Sequence, residues 1–499
     1  MINTYDSKRN LVIPKWLPFA KAAKSKELSI PRKDVFKINQ ITKRQLEEDY
    51  LDFKKDPSPH KAADLMGSAT VIGANSIAIE MAKFVKGKSI LQKPTLELAD
   101  KIINSGYQDL LNFEYEVLIA KIKSSLSDFP KNAIGWIELA RLYTIKGQIS
   151  KARRAVLVAL NLAPYDRYIV RCSARFFLLI GEIDSAWHYI RKSLQYYADP
   201  WIKAVEITIS VIMEKRIKKF NPKSISENDI FHYSELIEGF GMVELLSGNE
   251  SKARKNFKLA WSNPSRNVIT HGEWIIRNKF PGLAEPASLD ITKSLEALAW
   301  RYYYKLELAE AISTVKHWEL EEPYSPDPYL LGSTISCDAG TPEEGVKFAL
   351  RGLTANPQDF FINNNLAFAL LEAGKMPEAE IIIKRFPSNL EGENRIYYLA
   401  TKGLLEFKKG NIRAGRDYYK KSIHISNQIN SNILSAKASL CLALAEVQGR
   451  TKEATEATKK ALGLSGKIEK PDIILARKKL QDKYMALVKN NFEKEAVNV

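Results

Sequence analysis

Gly147, Gly181, Gly340 and Gly374 fall 34 residues apart in two pairs, and five residues after each comes a small residue: Ala152, Ala186, Gly345 or Ala379. A fixed period of that size carrying two helical patterns and no strand pattern marks a repeated helix-turn-helix unit. Such a unit buries its apolar face only against copies of itself. The spacing therefore excludes a domain built around one central core. It requires a stacked helical array whose product is a long surface rather than a catalytic fold.

The units can be followed in register. From Ala133 run Trp136, Leu139, Ala140, Tyr143, Gly147, Ala152, Val156, Ala159 and Pro164. The large residues share one face of the first helix, Ala140 and Ala152 let two helices cross closely, and Pro164 ends the second. The next unit, from Arg167, keeps Ala174, Phe177, Gly181 and Ala186, and a third, from Ser234, keeps Gly241, Gly248, Ala253 and Phe257. From Thr292 come Leu295, Leu298, Ala299, Tyr302 and Ala311, followed by Tyr329, Gly340 and Gly345, then Leu366, Ala367, Gly374 and Ala379. Two looser units hold Gly403, Gly410 and Gly415, then Ala438, Gly449 and Ala454; an earlier one holds Ala62, Leu65, Ala69, Gly73, Ala78 and Ala82.

This pattern resembles the tetratricopeptide repeat over roughly residues 59–465, about four fifths of the chain. The resemblance implies an all-α, right-handed α-solenoid of helix-turn-helix repeats. We expect an N-terminal basic extended or capping segment over 1–58, the repeat array over 59–465, and a C-terminal capping helix and tail over 466–499. The array is expected to be irregular at about 95–130, 201–233 and 265–291, where the register weakens; KFNPKSISEN at 219–228 and the Pro-rich run at 278–291 read as loops.

Residues 1–58 hold 13 Lys and Arg against 8 Asp and Glu, with Trp16 and Phe19 among Pro14, Pro18 and Pro31 in the run LVIPKWLPF. Apolar residues between prolines suit an extended strap, either a cap on the first repeat or a docking arm. Residues 471–490 read as a final amphipathic helix with Pro471 in its first turn. Cys172, Cys337 and Cys441 lie far apart inside first helices without pairing or metal spacing, as in a reducing compartment. The chain has no run of 18 apolar residues and no secretion-signal pattern at its start, so a cytoplasmic protein is expected.

No catalytic, cofactor or metal signal stands. Gly87, Lys88 and Ser89 mimic the end of a phosphate-binding loop, but Ala82 occupies the place of its first glycine and a helix precedes it. The six histidines are scattered, no nucleophile elbow occurs, and the pairs Glu321–Glu322 and Glu343–Glu344 read as solvated helix edges.

The resemblance also implies that first helices line a concave groove. Carried over position by position, the groove holds Ile137, Arg141, Tyr168, Arg171 and Arg175, then Trp300, Tyr303 and Tyr304. Three guanidiniums match carboxylate or phosphate groups of a partner, unless they pair with Glu138 and neighbouring acids. The rings would anchor a peptide or fill the core. The two-carboxylate clamp of chaperone-binding members is not reproduced: Asn364 and Asn365 approach its asparagine, but Tyr397 and Thr401 stand where cations belong. The expected function is a non-enzymatic protein-interaction scaffold, adaptor or regulatory subunit that takes an extended or helical, acidic partner segment. The alternative is an RNA- or DNA-binding helical repeat, which the net charge of +17 and pI of about 9.4 would serve.

Overall fold

The structure, a computed structural model, describes residues 11–22, 43–72, 74–88, 90–91, 93–104, 107–196, 198–213, 233–283 and 286–497. Gly73, Ser89 and the 219–228 loop lie outside them. Among the described residues every regular element is helical, and none is long and apolar enough to cross a membrane. Helices pack in sequence-adjacent pairs: Ala133–Ile145 on Ile149–Leu162, Ser234–Leu246 on Glu250–Trp261, Leu295–Tyr304 on Leu308–Glu321, Asp327–Asp338 on Pro342–Ala355. Phe360–Glu372 on Met376–Lys384, Gly392–Lys408 on Ile412–Gln428 and Asn432–Gln448 on Ala454–Ser465 continue the series. From Asp327 to Gln448 each first helix also touches the next first helix, which is the stacking of a tetratricopeptide-like solenoid.

The periodic glycine has a backbone cause. Gly147 stands just past its helix at φ +66°, its N–H donating to Thr144 O while Gln148 N–H donates to Tyr143 O. That pair of hydrogen bonds needs a residue in the left-handed conformation, which only glycine adopts without steric cost. Gly181, Gly340 and Gly374 repeat it at φ +77°, +78° and +76°. The same turn recurs at Leu306 and Arg450, at φ +62° and +49°. In the last repeat the turn therefore falls on Arg450 and not on Gly449, the residue that periodicity selects.

The chain divides into two compact units, residues 18–173 and residues 1–17 with 174–499; the boundary falls inside the helix Arg167–Leu179. In the first unit, Ala62, Met66, Ala69, Ala78, Met81 and Ala82 are buried where Pro59–Ile72 crosses Asn75–Val85. Ala140 and Ala152 are buried at the next crossing. The irregular stretch at 95–130 holds two helices, Lys93–Asn104 and Tyr107–Asp128.

In the second unit, parts of both other stretches expected to be irregular are helical. Pro200–Ile212 starts on Asp199, whose carboxylate accepts from Trp201 N and Ile202 N, and its nearly all-apolar sequence is buried. Arg266–Asn278 starts on Ser265. Pro200–Ile212 was obscured by apolar residues on several sides, which blur the 3.6-residue rhythm. Close crossings recur: a Cβ on Gly415 would lie 2.9 Å from Gly403 O. The C-terminal helix runs Pro471–Val497, longer than expected, and packs on Asn432–Gln448, Ala454–Ser465 and Asp327–Asp338.

Candidate functional site

Residues 12–18 of the basic N-terminal segment are extended, not helical, and bury Val12, Pro14 and Trp16. The prolines fix the segment in extended backbone, and the alternation of Val12, Pro14 and Trp16 with half-buried residues is what a chain lying on a surface produces. The expected cap would cover the first repeat. The structure instead seats residues 12–17 on helices and turns between 174 and 324, because those present the matching partners.

Each contact has a chemical reason. Thr208 Oγ1 donates to Val12 O at 2.9 Å, and Trp16 N–H donates to Tyr324 Oη at 2.8 Å, so the strap's backbone is read directly. The Trp16 ring is fully buried against Phe176 and Tyr324, with centroids 6.2 and 5.7 Å away. Lys15 Nζ donates to Glu322 and, at 3.3 Å, to Glu296, and lies 5.8 Å from the Trp318 ring centre. Burial opposes the Lys15 charge, yet Glu322 and Glu296 hold its pKa above that of a free ammonium. Burial likewise opposes ionisation of Glu322, and Lys15 and Arg175 outweigh it, so this carboxyl stays below the usual range. Glu322, expected at a solvated helix edge, is buried among Lys15, Arg175 and Trp318 Nε1.

The residues carried over from the repeat pattern are all engaged within the chain. Arg175, 9% exposed, donates to Ser325 Oγ at 3.3 Å and lies 3.9 and 3.8 Å from Glu322 and Asp327. In the smaller unit Arg141 is 8% exposed and lies 3.5 Å from Glu138, the pairing weighed as its alternative role. Tyr168 donates to the same Glu138, and burial together with that carboxylate pushes its pKa well up. Phe19 seats its ring edge-on to Tyr168, centroids 5.1 Å apart, and donates its N–H to Glu138. Arg171 is buried, at 6% exposure. Trp300 and Tyr303 are fully buried core residues, while the repeat-pattern residues Leu295, Leu298 and Tyr302 are half-buried. Tyr303 donates to Asp338; Tyr304 lies 3.6 Å from the Arg277 guanidinium and accepts from Lys470 Nζ at 2.8 Å. Asn364 and Asn365 are also buried and bonded, to Thr401 and to the Leu330–Thr334 turn.

Sequence reasoning missed Thr208, Glu296, Glu322 and Tyr324. Only the strap's own LVIPKWLPF run signalled that a seat existed. Among the described residues no group of three or more His, Cys, Asp or Glu is placed to hold a metal.

No protein-family model matches the sequence, and no curated protein matches it. Similar solved structures include the APC/C hetero-tetramer Cut9–Hcn1, 12% identical over 93% of this chain and 98% of that chain, with a TM-score of 0.35. The human IFIT1 dimer with PPP-AAAA is 15% identical over 84% and 94%, TM-score 0.33, and Naa15/Naa10 bound to HypK-THB is 14% identical over 91% and 92%, TM-score 0.26. The fold stands on the helix pairs described above.

Proposed function

We propose that this chain is a non-enzymatic binding scaffold, the adaptor or regulatory subunit of a cytoplasmic assembly, and that its first-helix face takes an extended partner segment. The observation that carries the reading is the strap seat. A seat built from Thr208, Glu296 and the Glu322–Tyr324 turn after Leu308–Glu321 already holds six extended residues through two backbone hydrogen bonds, one buried indole and one buried ammonium. This is peptide recognition, performed here on the chain's own residues.

The seat also indicates the partner's chemistry. Two of the three arginines that suggested an acidic segment, Arg141 and Arg175, are engaged by Glu138 and by Asp327 and Glu322, and the side chain received between Glu296 and Glu322 is a lysine. The favoured occupant is therefore an extended, proline-flanked segment with a cation beside a large ring. Arg175, which lies 3.9 Å from the Glu322 that receives the lysine, serves as a support for such a segment.

A labelled peptide of residues 11–19 tests this by fluorescence anisotropy. It should bind the full-length Trp16→Ala chain, whose own strap is loosened, at least tenfold more tightly than wild type, and adding Glu322→Gln should remove that gain. Equal binding to all three chains, or none, overturns the reading. Nanomolar RNA or DNA affinity at physiological salt, falling steeply as salt rises, would put the nucleic-acid alternative first.

A further inference from the structure

Beneath the C-terminal helix, in the body that also holds the strap seat, lies a cavity of about 110 Å³. Its walls come from the first helices Phe360–Glu372, Gly392–Lys408 and Asn432–Gln448, the second helix Ile412–Gln428, the C-terminal half of Asp327–Asp338, and the side of Pro471–Val497 that carries Asp472, Leu475, Ala476 and Lys479. The lining is mainly apolar, with Phe368, Ile396, Tyr419, Leu434, Leu444 and Leu475 as its larger members. The void has a geometric cause: a straight helix laid across successive first helices cannot fill the grooves between them as an extended strap can.

Many of the polar groups in the wall are bonded within the protein. Thr401 donates to Asn364, Ser422 to Ile396 O, and Asn365 to the Leu330–Thr334 turn. Lys437 pairs with Asp472, and Lys479 with Glu372 at 2.8 Å, so the two cations that tie the helix down are neutralised in place. These two pairs cancel and leave the Asp338 carboxyl as the wall's one further ionisable acid, so the wall holds no spare cation for an anionic ligand. The hydroxyl hydrogens of Ser333, Thr334, Thr401 and Ser422 are committed, while their oxygens and the Asp338 carboxyl keep lone pairs for a donor. Apolar cavities of comparable size stay dry and accept a ring the size of benzene.

We propose that this cavity is a binding site for a small uncharged aromatic molecule bearing one hydrogen-bond donor, of the phenol or indole class. The site is independent of the strap seat and would stand if the peptide reading failed. Ligand-observed NMR on the full-length chain tests it, with phenol, indole and benzoate as probes. Phenol and indole should show saturation transfer and raise the melting temperature at millimolar concentration, and benzoate should do neither. Ala438→Met or Ala476→Met, each of which fills the cavity from a different helix, should weaken phenol at least tenfold in a chain that still gives a helical spectrum. Two variants are specified so that a folding failure in one leaves the other. Absence of binding by both neutral rings, equal binding of benzoate, or undiminished binding to a folded filled variant would each overturn the proposal.

Discussion

At one end of the chain, residues 12–18 run extended and bury Trp16 completely; at the other, Pro471–Val497 stays helical and leaves a cavity over the repeats that it crosses. Both ends reach the same helix: Lys15 binds Glu296 near the start of Leu295–Tyr304, and Lys470 binds Tyr304 at its end. The difference lies in what each backbone presents. An extended chain exposes its N–H and C=O groups, so Tyr324 and Thr208 can bond to it and draw it in closely. A helix has spent those groups internally and docks through side chains alone, here two lysine–carboxylate pairs and a stripe of aliphatic residues. Close filling follows from the first arrangement and a residual void from the second.

The largest effect should come from emptying the well-filled end. Trp16→Ala removes a fully buried indole and should cost about 3–5 kcal/mol. Leu475→Ala, on the half-buried wall of a space that is already void, should cost about 1–2 kcal/mol. Urea midpoints for the two full-length variants, followed by circular dichroism, give the ranking. If Leu475→Ala proved as costly as Trp16→Ala, the two ends would be equally packed and the contrast would fail.

The two ends should also respond to pH with opposite sign. Glu322 has its pKa depressed, Lys15 and Arg175 outweighing burial, so its contribution is present above the ordinary carboxylate range and is lost only as pH falls through its lowered value. Asp338, at the cavity, is raised from 3.8 to about 7, first by burial and then by Asp472, against the bond from Tyr303. The folded state therefore holds a proton there that the unfolded chain has released, and stability drops as pH rises from about 4 to about 7. Asp338→Asn should remove that fall, matching wild type near pH 4 and exceeding it at pH 8 by about 1 kcal/mol or more. Melting temperatures at the two pH values measure it, and a parallel offset at both would show that Asp338 is ionised throughout.

Much of the array was legible because its rule is a backbone rule. Gly147, Gly181, Gly340 and Gly374 mark turns that demand a left-handed residue, and that demand leaves a residue type at a fixed interval. The site was less legible because its partners are distant in sequence: Trp16 meets Tyr324 across 308 residues, and no local period links them. Arg141 and Arg175 stand where the pattern placed them, but their neutralisation by Glu138, Glu322 and Asp327 depends on packing. Pro200–Ile212 was missed for a third reason, since a helix apolar on several sides shows a blurred amphipathic rhythm.

The smallest effect tests the backbone rule at the helix that both ends share. Leu306 closes Leu295–Tyr304 with the bonds that Gly147 makes in its own repeat, its N–H donating to Tyr303 O and that of Glu307 to Tyr302 O. It does so at φ +62°, where a leucine pays about 1–2 kcal/mol in contact between its Cβ and the following carbonyl. Its side chain is 38% exposed, so truncation gives up little burial. Glycine gains back the strain but loses some order through the freer unfolded chain, which leaves Leu306→Gly about 0.5–1 kcal/mol more stable. Because Glu296 and Tyr304 are untouched, this gain should add to the Trp16→Ala loss without coupling to it, and a double-mutant cycle in urea reads the sum directly. A Leu306→Gly chain less stable than wild type would mean that the leucine's packing, and not the turn, holds the end of that helix.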